Sequence, residues 1–296
     1  NNYRPVSLTC VSCKVLEAII RQKIISHMKD NNLLSSRQFG FVEKRSTCLQ
    51  LLYTIEEWIK QIEKGEEIDV AYMDLMKAFD SVPHQRLLKK INSYGIRGRT
   101  LKWIEGFLMN REQVVQVNGV KSNPQKVLSG VPQGSVLGPV LFVIYVNDMP
   151  EAVQSKTVLY ADDTKLYRPV STVEDMRLLQ HDIDALQEWS STWLLKFHPQ
   201  KCIMMRIGCS ETPETHYTMT DAGRPISLEW KEQEKDLGVI VDTKLNFQAE
   251  LDARVKKANT IMGVIRRTFS HLDERNFTTL FKSIVRPHLE YAQAVW

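Results

Sequence analysis

The segment Ile68 to Asp74 limits the fold more than any other stretch of the chain. Ile68, Val70 and Tyr72 alternate with Ala71 and Met73, so both faces of an extended strand are largely apolar. A strand apolar on both sides belongs in the middle of a sheet with a layer packed on each face. It ends on Asp74, and the carboxyl ends of such strands are where open sheets commonly gather their chemistry. A second acidic strand end lies further on. Val158, Leu159 and Tyr160 lead into Ala161, Asp162 and Asp163, and another apolar stretch begins at Leu166, which predicts two short strands meeting at a tight acidic turn. Asp162 shares its face with Tyr160 and Val158, while Asp163 sits at or beyond the turn. Carboxylates at the end of an apolar strand are expensive unless water or a metal takes them. A plain Asp-rich hairpin turn is the alternative for these four residues alone.

Helical spacing accounts for much of the rest. Val15, Leu16, Ile19, Ile20, Ile24 and Ile25 predict a helix within Ser12 to Met28, and Leu51, Leu52, Ile55, Trp58, Ile59 and Ile62 a second over Thr47 to Lys64. Pro83 opens a third, which Gly95 stops. Val114 to Val117, Asn118-Gly119 and Val120 spell a hairpin. The run Val140 to Val146 is apolar all round, so periodicity does not separate helix from strand there. Ser171-x-x-Glu174 reads as a capping box for a helix striped by Met176, Leu179, Ile183, Leu186, Trp189 and Trp193. Short strands are expected at Ile203 to Ile207 and Leu237 to Val241, a surface loop at Ser210 to Pro225, and two closing helices, through Leu251 to Phe269 and Phe277 to Val285.

Charge matters by its placement. The net charge is +4, and Lys244 to Trp296 alone holds nine Lys/Arg against five Asp/Glu. Lys256-Lys257 and Arg266-Arg267 sit there on one helix, compatible with a nucleic-acid backbone as partner or with a solvated helix face. Five cysteines form no paired framework, and Cys10-x-x-Cys13 has no second half-site, so buried, reduced thiols and an intracellular setting are expected. The longest apolar run is far short of a membrane span. The chain opens on Asn1 rather than Met, the mark expected of one region of a longer polypeptide.

Asp74 and Asp162 therefore form a candidate pair. If their strands are neighbours, two carboxylates converge on one sheet edge, and carboxylates with water and substrate phosphates are how proteins usually hold Mg²⁺. The turn-rich loop Ser129 to Ser135 and the basic C-terminal segment move the reading towards nucleotidyl transfer.

These residues carry a resemblance. Asp74-x-x-Lys77-Ala78-Phe79-Asp80, then Gly130-Val131-Pro132-Gln133-Gly134-Ser135, then Tyr160-Ala161-Asp162-Asp163 stand in the order of a reverse transcriptase. Asn2 to Leu8, Gln38-Phe39-Gly40-Phe41, Lys235 to Val239 and Arg286 to Ala292 extend the match along the chain. More narrowly, the chain resembles the reverse transcriptase domain of non-LTR (LINE-type, jockey-like) retrotransposons.

The resemblance implies an α+β right hand. Residues 1–67 would be fingers, 68–242 palm with a fingers-side insertion at about 85–128, and 243–296 a thumb-like helical region. It implies an RNA-directed DNA polymerase that extends a primer 3′-hydroxyl with deoxynucleoside triphosphates on an RNA template, the element's own RNA included. Asp74 and Asp162, with Asp163 close by, would hold two Mg²⁺ ions, with Mn²⁺ as a substitute. Phe79 would stand against the sugar 2′ position, Gln133 and Gly134 against the incoming nucleotide, and Arg4 against its triphosphate. Lys201 would sit by the leaving pyrophosphate, Leu237 and Gly238 would grip the primer end, and Lys256, Lys257, Arg266 and Arg267 would follow the duplex backbone. His198 and Met76 depart from residues common in relatives. No endonuclease segment or membrane partner is expected in this chain, and the resemblance implies the nucleus as location. Two rivals remain: a non-catalytic RNA-binding protein on the same fold, and an intron-encoded or retron-type enzyme, against which Phe79 to His84 and Pro287 to Tyr291 argue.

Overall fold

A five-stranded sheet orders the chain. In the computed structural model, which describes residues 6–208 and 215–296, its strands are β1 (Glu67–Met73), β2 (Lys156–Tyr160), β3 (Asp163–Val170), β4 (Ile203–Ile207) and β5 (Glu229–Trp230). They lie in the order β5-β4-β1-β3-β2, so β1 is central, as its two apolar faces require. All pairings are antiparallel except that of β5 with β4. Arg4 and Cys209 fall outside the described residues.

Alternation sends the two faces of the sheet into two cores. Ala71, Met73, Leu159, Leu166 and Met204 pack against α3 (His84–Ser93), α5 (Gly138–Val146) and α6 (Val173–Trp193), with α1 (Val11–Asp30) and α4 (Gly98–Leu108) joining the same cluster. Ile68, Val70, Val158, Tyr167 and Met205 pack against Leu51, Ile55 and Trp58 of α2 (Thr47–Ile62). That second cluster also holds Val239 and Val241 of β7 (Val239–Asp242), which pairs with β6 (Gln233–Asp236) as a hairpin. The chain closes with α7 (Gln248–Thr268), then Glu274–Leu280, which runs through a π turn at Phe281–Val285 into Arg286–Glu290. Pro287 opens that last piece, and a proline lacks the N–H that would continue a regular helix.

The apolar run at Val140 resolves as helix: every residue of α5 except Pro139 is buried. Glu17, itself fully buried on α1, accepts from the Val136 and Leu137 amides just ahead of that helix. Several expectations shift. The capping box is Thr172 with Asp175, one residue later than Ser171 with Glu174, because Thr172 takes the extended N-cap conformation. The expected strand at Leu237 to Val241 begins at Val239, since Leu237 and Gly238 form the turn that precedes it. The described part of Ser210 to Pro225 is no plain loop: Thr218–Asp221 pairs with Arg224–Ser227 around Ala222 (φ +48°) and Gly223 (φ +80°). Cys202 is buried as a thiol should be, but Cys10 is exposed and Cys13 half-buried, because the first turn of α1 faces outward. Helix α4 had no counterpart among the expected elements.

At the end of β1 far from Asp74, fully buried Asp69 accepts from Arg206 Nε at 2.6 Å and Nη2 at 2.8 Å, and from the Tyr217 hydroxyl at 2.7 Å. Removing the carboxylate leaves a nearly buried guanidinium with only the longer 3.4 Å contact to Glu67 as counter-charge, a loss of about 3 kcal/mol, the low end for a broken buried pair. Asp69→Ala should lower unfolding free energy by about that much in urea titration. The acidic end of β1, about 16 Å along the strand, should keep its amide protection.

Candidate active site

Register builds the site. On β1 and β3, Met73 stands opposite Thr164, so the next pair in line is Asp74 with Asp163. On β2 and β3, Tyr160 stands opposite Asp163, which leaves Ala161 and Asp162 as a two-residue turn. Ala161 takes φ +58°, the left-handed region a tight hairpin demands at its first position. Asp74, Asp162 and Asp163 thus gather at one end of the sheet, but with the two adjacent acids in the reverse of the expected places. Asp163 opens β3 opposite Tyr160 and shares its face, while Asp162 lies in the turn, because the hairpin closes over Ala161 and Asp162. Alternation puts Asp74 and Asp163 on the face that also carries Tyr72, Lys165 and Tyr167.

The electrostatics follow from this crowding. Asp163 keeps an exposed edge, yet the protein packed around it pushes its carboxyl from 3.8 up to about 6. Loss of hydration is the largest cause, followed by the charges of Asp162 and Asp236; Lys165 pulls the other way, and Asp74 adds a smaller push. An edge that resists its own negative charge suits a hard cation. Among the described residues, no group of three or more His, Cys, Asp or Glu is placed to hold a metal unaided. Oxygen donors that leave room for water and phosphate fit Mg²⁺, which seldom has an all-protein cage.

The segment after Asp74 is held by backbone bonds. His198 N donates to Asp74 O at 2.8 Å, Met76 N donates to Lys196 O at 2.7 Å, and Leu75 bridges Phe197. This second strand-like contact carries Lys201 back to the site, where Nζ lies 3.6 Å from Asp74 Oδ2. Cys202 Sγ lies 3.4 Å from the Asp74 amide, and burial raises the thiol to about 11. Phe79 stacks on Phe142 at 4.4 Å and meets Phe41 edge-on.

The loop at Ser129 to Ser135 is fitted closely to Asp80. Gly130, at φ +90°, leaves no room for a Cβ, which would stand 2.7 Å from Asp80 O. Gln133 Nε2 donates to Asp80 Oδ1 at 3.0 Å, and Gln133 O accepts from Ser7 N. A Cβ on Gly134 would reach Ser7 O at 2.9 Å. The side chain of Gln133 is therefore engaged within the protein, and its backbone abuts the N-terminal segment. Leu237 (φ +46°) and Gly238 (φ +90°) form the turn between β6 and β7. Lys256, Lys257, Arg266 and Arg267 are exposed on α7, and Lys256 lines a shallow groove with Leu251, Val255 and Thr260.

Gln38 and Gly40, which the sequence marks only as part of the Gln38-Phe39-Gly40-Phe41 match, have a structural role of their own. Gln38 is fully buried, and its Oε1 accepts from both Gly40 N at 2.7 Å and Ala161 N at 2.9 Å. Phe39 N donates to Leu159 O and Leu159 N to Arg37 O, so this loop extends the sheet beside β2. A Cβ on Gly40 would stand 2.4 Å from Ala161 N. The acidic turn is thus braced from behind. The available signal was a Gln two residues before a Gly, too general to call.

A model of the family described as reverse transcriptase (RNA-dependent DNA polymerase) matches residues 1–241. The RNA-directed DNA polymerase from mobile element jockey of Drosophila funebris is 30% identical, the match covering 100% of this chain and 33% of that protein. The probable RNA-directed DNA polymerase from transposon BS of Drosophila melanogaster is also 30% identical, covering 90% of this chain and 30% of its own. The chain spans about a third of the length of the curated relatives it matches. Among solved structures, telomerase from Candida albicans, in complex with a fragment of telomeric RNA, superposes with a TM-score of 0.53 at 11% identity, over 95% of this chain and 48% of that one. Telomerase from Candida tropicalis gives 0.51 at 13% identity, over 94% and 45%.

Gly40→Ala forces a methyl against the acidic turn. It should cost about 1–3 kcal/mol, as overpacking does, and speed hydrogen exchange at the Ala161 amide; unchanged melting and exchange would show the contact to be soft. Asp163 supplies a pH test in protein stripped of divalent ions. Its folded-state pKa near 6 exceeds the ordinary 3.8, so its contribution is full below pH 4 and is lost as pH rises through 6. Asp163→Asn should therefore melt above the parent at pH 7.5, and the difference should vanish near pH 4.

Proposed function

Because the chain belongs to the reverse transcriptase (RNA-dependent DNA polymerase) family, we propose that it is the polymerase region of a non-LTR retrotransposon protein and extends a primer 3′-hydroxyl with deoxynucleoside triphosphates on an RNA template. One observation carries the reading: the β1–β3 register brings Asp74 to the same end of the sheet as the Asp162–Asp163 turn, with Lys201 3.6 Å from Asp74. In the right-hand division, residues 1–67 are fingers, 68–242 palm with a fingers-side insertion at about 85–128, and 243–296 thumb-like. The acidic end of the face bearing Asp74, beyond the part covered by α2 and the β6–β7 hairpin, then lies under the primer end.

Asp74 and Asp162, with Asp163 adjoining, are the residues to hold two Mg²⁺. Those ions would supply charge neutralisation and in-line alignment for phosphoryl displacement. The chain's own groups supply position and protons. Lys201 stands where a cation would hand its proton to the departing pyrophosphate, and its exposed side chain reaches outward with little packing to overcome. Phe79, braced by Phe142 and Phe41, presents a rigid ring that rejects a 2′-hydroxyl by clash. Gln133 and Gly134 would meet the nucleotide once the segment at Val6 and Ser7, which lies against their backbone, gives way, while the Gln133 side chain stays on Asp80. The turn at Leu237 and Gly238 takes the primer end, and the α7 cations follow backbone phosphates, which positions the duplex without reading it.

Primer extension on an RNA template tests this directly. Incorporation should require Mg²⁺ or Mn²⁺, and Asp74→Asn or Asp162→Asn should each lower kcat by more than the roughly 10–100-fold typical of outer-shell changes at metal sites. RNA binding with no incorporation by the parent chain would favour the non-catalytic RNA-binding reading. Full activity in either variant would overturn the assignment.

A further inference from the structure

We propose that the buried ion pair between Lys165 and Asp236 is a positioning link, which fixes the Leu237–Gly238 turn relative to the acidic sheet edge. The inference rests on the polymerase reading for its consequence, since it takes that turn as the seat of the primer end.

Lys165 lies on β3 two residues beyond Asp163, so both point from the same face. In register it stands between Tyr72 on β1 and Val158 on β2, at the middle of that face. Asp236 is the last residue of β6, immediately before the turn. Their Nζ and Oδ2 are 2.6 Å apart, and the two side chains are only 2% and 4% exposed. Val70, Val158, Tyr167 and Val239 are buried in the cluster on that face, with Leu237 packed on it, and Asp163 lies near enough to feel both charges of the pair. Tyr72, opposite Lys165 on β1, is buried beside them, and burial and the Asp236 charge raise its phenol well above the ordinary value.

Such a pair is a poor device for stability, because desolvating both charges offsets most of their attraction. Its directionality is another matter. An apolar contact tolerates sliding, whereas a buried charge pair has one satisfied arrangement. Here it joins the strand that carries Asp163 to the residue that opens the turn.

The far side of the turn is held as firmly. Arg254 Nη2 of α7 donates to Gly238 O at 2.6 Å, and the Tyr291 hydroxyl donates to Leu237 O at 2.7 Å. Glu250 of the same helix accepts from Ile240 N at 2.8 Å. A Cβ on Gly238 would meet the Tyr291 ring at 3.3 Å. With both turn residues at positive φ, the turn has little freedom of its own. It is clamped between α7 and β3, and Lys165–Asp236 is the clamp's ionic contact on the β3 side. A shift of α7 along a duplex would reach the carboxylates through this link.

The test replaces the pair by apolar residues of similar volume, Lys165→Met with Asp236→Leu, which folded proteins commonly accept without loss of stability. Asp236→Asn, which keeps shape and removes one charge, is the second variant. Melting temperature, hydrogen exchange at the Val239 and Thr164 amides, and steady-state extension are measured on each. The double variant should melt at or above the parent while both amides exchange at least about tenfold faster. Its KM for primer–template should rise by a similar factor, with the KM for nucleotide within about twofold of the parent. Asp236→Asn should move the same quantities in the same direction. Wild-type exchange rates at both amides in either folded variant would overturn the link. Wild-type exchange is a property of the protein alone, so that arm still decides the link should the parent chain fail to extend a primer. Faster exchange with an unchanged primer–template KM would overturn the positioning role.

Discussion

The pairing of β1 with β3 is the constraint on which the rest depends. Side chains alternate along a strand, so register decides which residues enter which core. With Met73 opposite Thr164, the face holding Ile68, Val70 and Tyr72 runs on into Asp74, and the face holding Tyr167 and Lys165 runs back into Asp163. A slip of one residue would drive Lys165 into the layer packed by α3, α5 and α6 and send Leu166 towards α2. Neither layer offers a remedy for that error. The carboxylates meet because two hydrophobic layers leave the strands no other alignment.

Around this edge the chain adds braces drawn from distant sequence. Gln38 and Gly40 hold the turn from behind, Asp80 seats the Gly130 loop, and the His198 segment binds the backbone of Asp74. Each is a backbone contact too close for anything but a glycine or a hydrogen-bonding group. The site is therefore set chiefly by main-chain geometry, with the right-hand fold of the telomerase structures supplying the general frame.

How much of this was legible beforehand depended on the range of the interaction. Asp74 at the end of a central strand follows from a local alternation, and the helix through Leu179 and Ile183 from a local stripe. Both were readable. The missed features pair residues far apart: Arg206 with Asp69, Tyr217 with Asp69, Gln38 with Ala161, Lys165 with Asp236. No periodicity announces them, because a single charged residue in an apolar strand looks like an ordinary boundary until its partner is found. Local ambiguity explains the smaller errors. Ser171 and Thr172 are equally good caps by composition, and only the backbone conformation at Thr172 decides between them.

Two lysines near the acidic edge make the same point in energetic terms. Lys165 is locked: it and its partner are both buried, and leaving the pair would strand a charge without water. Lys201 is 63% exposed and stands 3.6 Å from Asp74, itself 40% exposed. A pair of that kind is worth about 0–1 kcal/mol, so Lys201 can exchange one anion for another at little cost. A negatively charged substrate entering beside Asp74 would compete for Lys201 but not for Lys165. The same residue type is therefore held in two ways, and burial, not identity, separates the lysine fixed in the frame from the lysine free to change partners.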